Sequence, residues 1–443
     1  MIRTAVSNSV LNELTKGNLG QVFILALGAT PWHIGLQATL ARLAPLAQLP
    51  GLTVILRAGK TRLAAWGYLA VIVPLVCLVA LALSGWSGPA AVMAGIAAYT
   101  AMSAIGSFAN TSWWPLLQDV TTGEAKGAFF ARLRTRLRTV ELLVPIGLSW
   151  YVARAALPWR FAVPFAVGIA ATLIAAYFMR RVPERPMRVR HAGLLRRMRL
   201  ALRVTSVRAY LQLVVQSFFT EGLITPFFVV MVRACGLPDA YIVLMGAAAA
   251  VGHVAGLGLW ARSVDTHGGR PALSLTLAGV ALQGLAWLII PTVPAGATKL
   301  AVIWPLLVWS LAFYLSWGFF RGGFLMGRTQ FLLDAIPHRF QTDGFTIVNL
   351  AEPAGGALGA MVGGLVFNWL TVHPIHWAGI DGRAMYLAVA QLAMIAVWPA
   401  KSRLAGHDRQ TTGRKFLANG WQLLLAGRSD PDSPGPGPGP KNP

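Results

Sequence analysis

Glu221 lies inside an apolar stretch that begins near Tyr210 and is long enough to cross a bilayer, with Thr220, Gly222 and Pro226 around it. A carboxylate at that depth is costly to bury, so an ionisable group there marks a functional site by default. It could take up a proton or a cation on one side of a membrane and release it on the other when its surroundings change. The glycine and proline beside it predict a helix that bends or opens at that point. Arg42 is the one basic residue placed inside a span, with Gln37 before it and Gln48 after it. A buried arginine needs an acidic partner or a water-filled cavity. Glu221 and Glu352 are its candidate partners, and Arg42 either neutralises one of them or binds an anionic group of a solute. Asn349 and Glu352 are three residues apart and share a helix face. Pro353 has no N–H and so frees the carbonyl of Asn349 as a further acceptor. Glu221, Arg42, Asn349 and Glu352 are the candidates for substrate or ion coupling.

These groups need long helices to position them. The chain has 443 residues, 56% apolar and 12% charged, well short of the quarter charged that is usual for a soluble domain. Apolar runs long enough to span a hydrocarbon core recur along most of its length. They are continuous runs rather than period-2 alternation, which excludes a β-barrel. The expected fold is all-α and polytopic, with twelve transmembrane helices. The spans are 17–35, 36–56, 63–84, 90–110, 139–157, 161–179, 209–232, 239–261, 271–292, 300–320, 343–370 and 384–400.

The net charge of +23 would suggest nucleic acid in a soluble protein, but its placement argues otherwise. With a cytoplasmic N-terminus, the outer segments hold only Arg154, Arg160, Arg233, Lys299 and Arg383. Nearly all other lysines and arginines then fall inside, which puts both termini in the cytoplasm. The basic excess implies contact with anionic lipid at the cytoplasmic face and no nucleic acid. No cleavable signal peptide is expected, because the first fifteen residues are polar. Cys77 and Cys235 form neither a disulfide framework nor a metal site.

The clearest internal boundary is 180–208, a basic segment with Pro183 and Pro186. It separates a first six-helix unit (1–179) from a second (209–400). Residues 194–203 read as an amphipathic helix at the membrane surface. The tail 401–443 carries a possible short helix at 415–425 and closes in a Pro/Gly run that should be disordered. The halves repeat weakly: Leu117-Gln118-Asp119 with basic residues after it corresponds to Leu333-Asp334 followed by Arg339. Gly59-Lys60-Thr61-Arg62 corresponds likewise to Gly268-Gly269-Arg270.

The segment Arg262-Ser263-Val264-Asp265-Thr266-His267-Gly268-Gly269-Arg270 resembles the inner-loop signature of the major facilitator superfamily. In Trp113-Trp114-Pro115 through Asp119, followed by Lys126-Gly127 and Phe129-Phe130, there is a second pattern similar to bacterial members. The resemblance spans about residues 17–400 and implies two pseudo-symmetric six-helix bundles around a central site. It also implies that Asp265 and Arg270, with Asp119 and Asp334 at equivalent helix ends, latch the bundles as gating residues. The loop at Gly59 keeps the basic residues but contains no acidic partner.

Other polar groups have structural readings. Glu141 pairs at a membrane boundary with Arg138 or Arg136, and His253 is a hydrogen-bonded core histidine. The glycines from Gly355 to Gly364 let helices approach closely. Trp32, Trp86, Trp159 and Trp377 belong to an outer aromatic belt, while Trp287, Trp304, Trp309 and Trp317 pack in the core. No phosphate loop, metal-ligand spacing or nucleophile elbow occurs, so neither an enzyme nor a bound cofactor is expected. The function expected is a secondary transporter of a small solute by alternating access, coupled to H+ or another cation, in a bacterial inner membrane. The alternative is a binding or assembly factor of the same fold, as in light-harvesting assembly relatives. A passive facilitator is a third class.

Overall fold

The computed structural model describes residues 1–15, 17–120, 126–157, 159–184, 202–294, 300–335 and 341–397. Residues 194–201 of the surface helix expected at 194–203 and the whole tail lie outside these residues, as do the side chains of Arg270 and Asp334.

The chain is helical almost throughout. It begins with α1 (Ile2–Thr15) and α2 (Asn18–Ala26), then α3 (Pro31–Leu43), a 3₁₀ turn (Ala44–Ala47) and α4 (Gln48–Ala58). Next come α5 (Lys60–Ser84), α6 (Pro89–Asn110), α7 (Trp113–Val120), α8 (Lys126–Arg154) and α9 (Trp159–Met179). The second part holds α10 (Thr205–Ala234), α11 (Asp239–His267), α12 (Gly269–Gln283) and a 3₁₀ turn (Gly284–Ile289). It ends with α13 (Leu300–Ala335), α14 (Gln341–Val372), a two-residue hairpin, and α15 (Gly382–Leu392) running into a 3₁₀ turn (Ala393–Val397). Among the described residues nine helices are long and apolar enough to cross a membrane, as a multi-pass membrane protein requires. The first pair α1–α2, the arginine-rich α8 and the short α15 fall outside that set.

Three boundaries differ from expectation. The first helix starts at Ile2 instead of residue 17, and α1 packs on α9 and α8. Its polar residues concealed it, but Leu11 and Leu14 are buried in the core. α13 runs on to Ala335, fifteen residues past the end expected for its span, and carries Arg321 and Arg328 with it. α8 begins at Lys126, so the basic run from Arg132 to Arg138 is helix and not loop. Arg321 and Arg328 therefore belong with the helices rather than in a basic inner loop.

The tight turns follow local chemistry. Thr30 caps α3: its backbone N–H and hydroxyl both meet Nδ1 of His33, and Pro31 supplies a preset first turn. Gly59, between α4 and α5, has φ 84° and ψ 159°. Gly268, between α11 and α12, has φ 83° and ψ 170°. Left-handed φ favours glycine, so the two motif loops share one backbone conformation as well as one residue pattern.

Helices from the two parts of the chain meet along α3–α14 and α8–α11, while α10–α14 and α11–α13 pack within the second part. Small residues make these approaches possible. A Cβ on Gly35 would lie 2.7 Å from Gly364 Cα, and one on Gly252 would lie 1.8 Å from the Leu315 carbonyl oxygen. Trp287 is fully buried against Phe228, Trp309 and Phe313, as core packing requires. Trp304, by contrast, is 56% exposed and faces outward.

The hairpin before α15 is held by Asp381, which accepts hydrogen bonds from the backbone N–H of Arg383 at 2.7 Å and from its guanidinium at 2.5 Å. Burial opposes the charge on Asp381, but the hydrogen bonds from Arg383 outweigh it and hold the carboxyl below its ordinary value. Its stabilisation is present above the ordinary carboxylate range and lost as pH falls through the lowered folded value. Asp381→Ala is expected to cost about 1 kcal/mol at neutral pH and to make this acid-dependent loss disappear, as read from melting temperatures across a pH series.

Candidate functional site

α10 carries Glu221 into the centre of the molecule. The helix runs unbroken through Gly222 and Pro226, so the opening expected there does not occur. Gly222 serves a contact instead: a Cβ on it would lie 2.2 Å from the Gly356 carbonyl oxygen on α14. That close approach sets Glu221 beside α3 and α13.

Two guanidiniums converge on Glu221 Oε1. Arg321 Nη1 on α13 is 2.8 Å away and Arg42 Nη2 on α3 is 3.5 Å away. Arg42 also donates to Thr225 Oγ1 at 3.2 Å, one turn along α10. Thr225 in turn donates to the Glu221 carbonyl at 2.7 Å. A glycine again makes the room, since a Cβ on Gly356 would lie 2.2 Å from Arg42 Nη1. The expected pairing of Arg42 with a carboxylate is thus present, with Glu221 and not Glu352 as the partner. Glu352 pairs with Arg328 Nη1 at 2.7 Å. Arg328 also lies over the Phe218 ring at 5.1 Å, and its Nε is buried with no hydrogen-bond partner among the described residues. Asn349 is exposed and stands apart from these ion pairs.

Sequence reading missed Arg321 and Arg328 as site residues. A signal was available, because Phe319-Phe320 precede Arg321 and Phe324-Leu325-Met326 follow it, so the apolar run continues past the arginine. The spacing of seven sets both arginines on one side of a helix.

Beside this cluster a cavity of about 970 Å³ lies between α8, α11 and α13. Exposed Arg134 and Asp265 lie at its rim, with Arg138, Glu141, His253 and Gly322 also on its wall. Leu142, Val254, Leu257 and Met326 make much of the rest apolar. Arg138 pairs with Glu141 on its own helix and also contacts His253 Nε2 at 3.2 Å on α11. A guanidinium only donates, so Nε2 accepts and the ring proton sits on Nδ1. The expected Arg138–Glu141 pair and hydrogen-bonded His253 are both present, joined in one network that links α8 to α11. A smaller cavity of about 300 Å³ lies by the break between α1 and α2, lined by Gln21, Gln37, Tyr99 and Ser103.

The motif residues divide. Asp119 on α7 pairs with Lys60 at 2.5 Å, and Glu184 accepts from the Thr61 N–H at 2.8 Å. The acidic partner missing from the Gly59 loop is therefore supplied from distant sequence. Asp265 is exposed at the cavity rim. At the opposite end Asp239 takes Arg233 Nε at 3.1 Å and lies 4.0 Å from Arg160 on α9. Asn18 donates to the Ile242 carbonyl at 2.8 Å nearby, so both contacts join the two parts of the chain there.

No sequence-family model and no curated protein matches the chain. Solved structures do match in shape. A mutant of the nucleoside transporter NupG superposes with a TM-score of 0.64 at 13% identity, over 91% of this chain and 98% of that one. A POT family transporter in complex with a thioalcohol-conjugated peptide gives 0.65 at 12% identity, over 95% and 96%. A bacterial homologue of the iron transporter ferroportin, in an inward-facing state, gives 0.63 at 13%, over 91% and 95%. At these identities the shared property is the fold.

Proposed function

We propose that this multi-pass membrane protein, which has the major-facilitator fold, is a secondary transporter that moves a small solute by alternating access. The observation that carries the reading is the pairing of Glu221 with both Arg42 and Arg321, which ties α3, α10 and α13 together at the centre. In this reading the elements make twelve crossings in two six-helix units, 1–179 and 209–400, joined by 180–208. Both termini are cytoplasmic, anionic lipid meets the basic face, and the membrane is a bacterial inner one.

Coupling then works by competition. A proton on Glu221 cancels the charge that holds both guanidiniums, so loading the carboxylate loosens the junction of three helices. Glu352 and Arg328 make a second pair one helix further on and are a secondary coupling site. Arg42 is a structural counter-charge and a switch. The cavity reaching the rim at Arg134 and Asp265, with the Arg160–Asp239 and Asn18–Ile242 contacts joined at the other end, supports an inward-facing state. Asp265, Arg270 and Asp334, with Asp119, are the gating residues of the inner face in this reading, and Lys60 holds Asp119 within the first unit already in this state.

The test is uptake of a labelled solute panel by the purified chain in liposomes under an imposed proton gradient. Accumulation above equilibrium supports coupled transport, and equilibration without accumulation makes the protein a passive facilitator. No movement of any solute, with a protein partner retained through gentle solubilisation, would overturn the reading in favour of an assembly factor. Lys60→Met removes the partner that positions Asp119 and should slow the return step at least severalfold while inward solute release continues, measured as exchange against net uptake.

A further inference from the structure

The cavity of about 300 Å³ by the break between α1 and α2 is walled, among the described residues, by uncharged groups. Its polar side chains include the amides of Gln21 and Gln37 and the hydroxyls of Tyr99, Ser103 and Ser107. Tyr99 is the most informative of them. Its Oη is buried with no hydrogen-bond partner among the described residues, and the whole residue is only 4% exposed. The ring meets Phe165 edge-on at 6.4 Å, which helps to fix where the hydroxyl stands. A Cβ on Gly20 would lie 3.1 Å from that oxygen. Gly20 also lines the cavity, so the hydroxyl stands at the wall and the glycine keeps it clear. A buried hydroxyl left unsatisfied costs free energy that a bound hydrogen-bonding group would recover.

The wall discriminates between kinds of ligand. An ionised ligand would meet no counter-charge on it among the described residues, and a buried charge without one is costly. Arg42 adjoins Ala41 of the wall, but its guanidinium is taken up by Glu221 and Thr225. Glu13 stands behind Gly17, where a Cβ would lie 3.7 Å from its Oε2, and does not itself line the cavity. An apolar ligand would leave the Tyr99 hydroxyl unsatisfied. Hydroxyls and amides both donate and accept, which matches a ligand whose own groups do both.

We infer that this cavity binds a small uncharged polyhydroxyl molecule of monosaccharide or cyclitol size. One of its hydroxyls meets Tyr99 Oη, and others meet the amides of Gln21 and Gln37. The inference rests on reading the chain as a solute transporter, and it names the class of solute. The volume is at the small end for ligand pockets, which suits a single ring. The same walls carry contacts between the two parts of the chain. On α3, Ala41 precedes Arg42, which reaches Glu221. At the start of α2, Gly17 and Gly20 flank Asn18, which donates to the Ile242 carbonyl. A molecule seated here bears on both helices that make those contacts.

Binding is measured on the full chain in a detergent without a sugar headgroup. The probes are D-glucose and myo-inositol. Glucuronate and glucosamine, at mildly acidic pH, are the charged counterparts, and cyclohexanol keeps the ring with a single hydroxyl. Glucose or myo-inositol should bind at least about tenfold more tightly than each counterpart, given an uncompensated charge or several lost hydrogen bonds. Tyr99→Phe should weaken that binding about fivefold, as the loss of one hydrogen bond implies. Without ligand the same variant should melt at or above the wild-type temperature, because it removes an unsatisfied buried group. A hydroxyl with a purely structural role would give the opposite result in the melt. Gln37→Leu should weaken polyol binding as well.

Glucuronate, glucosamine or cyclohexanol binding as tightly as the polyols overturns the inference. Failure of both polyols to bind at tens of millimolar overturns it too. Polyol binding unaltered by Tyr99→Phe and by Gln37→Leu would leave the cavity to ordered water alone and overturn it likewise. In each case, accumulation of another solute in liposomes would still stand as support for transport, so the two readings fail separately.

Discussion

Glu221→Gln is expected to bring gradient-driven solute accumulation to background and to lower the stability of the folded protein by about 2 kcal/mol. The amide keeps the size of the side chain but removes the charge that two guanidiniums share. Breaking a buried pair typically costs more than this, because the partner charge is stranded. Here both arginines stay partly exposed, with side-chain exposures of 21% for Arg42 and 34% for Arg321, which reduces the penalty. From sequence alone the same substitution would be expected to leave folding intact; the ion-pair geometry adds the stability cost. Adding Arg42→Gln to Glu221→Gln should recover part of the loss, by about 1 kcal/mol of coupling. Transport by Glu221→Gln at the wild-type level would sink the coupling role. A simple exchange of charges between positions 42 and 221 is a poor test, because it would set a guanidinium at position 221 against Arg321.

Gly222→Ala is expected to destabilise the protein by about 3 kcal/mol through overpacking alone. The added methyl would stand 2.2 Å from the Gly356 carbonyl oxygen and 2.8 Å from the Ala360 nitrogen. Both obstacles are backbone, so α10 and α14 must part, and the Glu221 side chain one residue away moves with them. Gly359→Ala should behave similarly, since its Cβ would lie 2.0 Å from the Phe219 carbonyl oxygen. Gly258→Ala meets nothing within 4 Å and is the matched control, with little or no cost. Thermal melts of the three purified variants, read together with yield in detergent, decide the point. Gly222→Ala melting like Gly258→Ala would show that α10 and α14 are not held by this contact.

Membrane character and most of the helices were legible because both depend on local sequence. Long apolar runs must become helices in a bilayer, whatever they later touch. Glu221 and Arg42 stood out for the same reason, as polar groups at a depth where a partner is obligatory. The glycine stripe from Gly355 to Gly364 could be read as a packing surface, and Gly222, Gly35 and Phe227 do meet it.

Less legible were features that span distant sequence. α1 looked polar in isolation and is helical and packed because α8 and α9 accept its apolar side. Arg321 and Arg328 looked like loop charges because a basic residue normally ends a span. They stay within α13 because Glu221 and Glu352 stand where their guanidiniums reach. Lys60 seemed to lack an acidic partner, and Asp119 provides one across 59 positions of sequence.

The sequence by itself determined that this chain is a helical membrane protein with a carboxylate and a guanidinium at its centre, since the cost of burying charge depends on depth and can be read one residue at a time. Tertiary structure alone decided that Glu221 answers to two arginines and that Glu352 answers to Arg328. Ion pairing depends on which helices touch, and that is settled by close glycine contacts such as Gly222 on Gly356, between residues far apart in the chain.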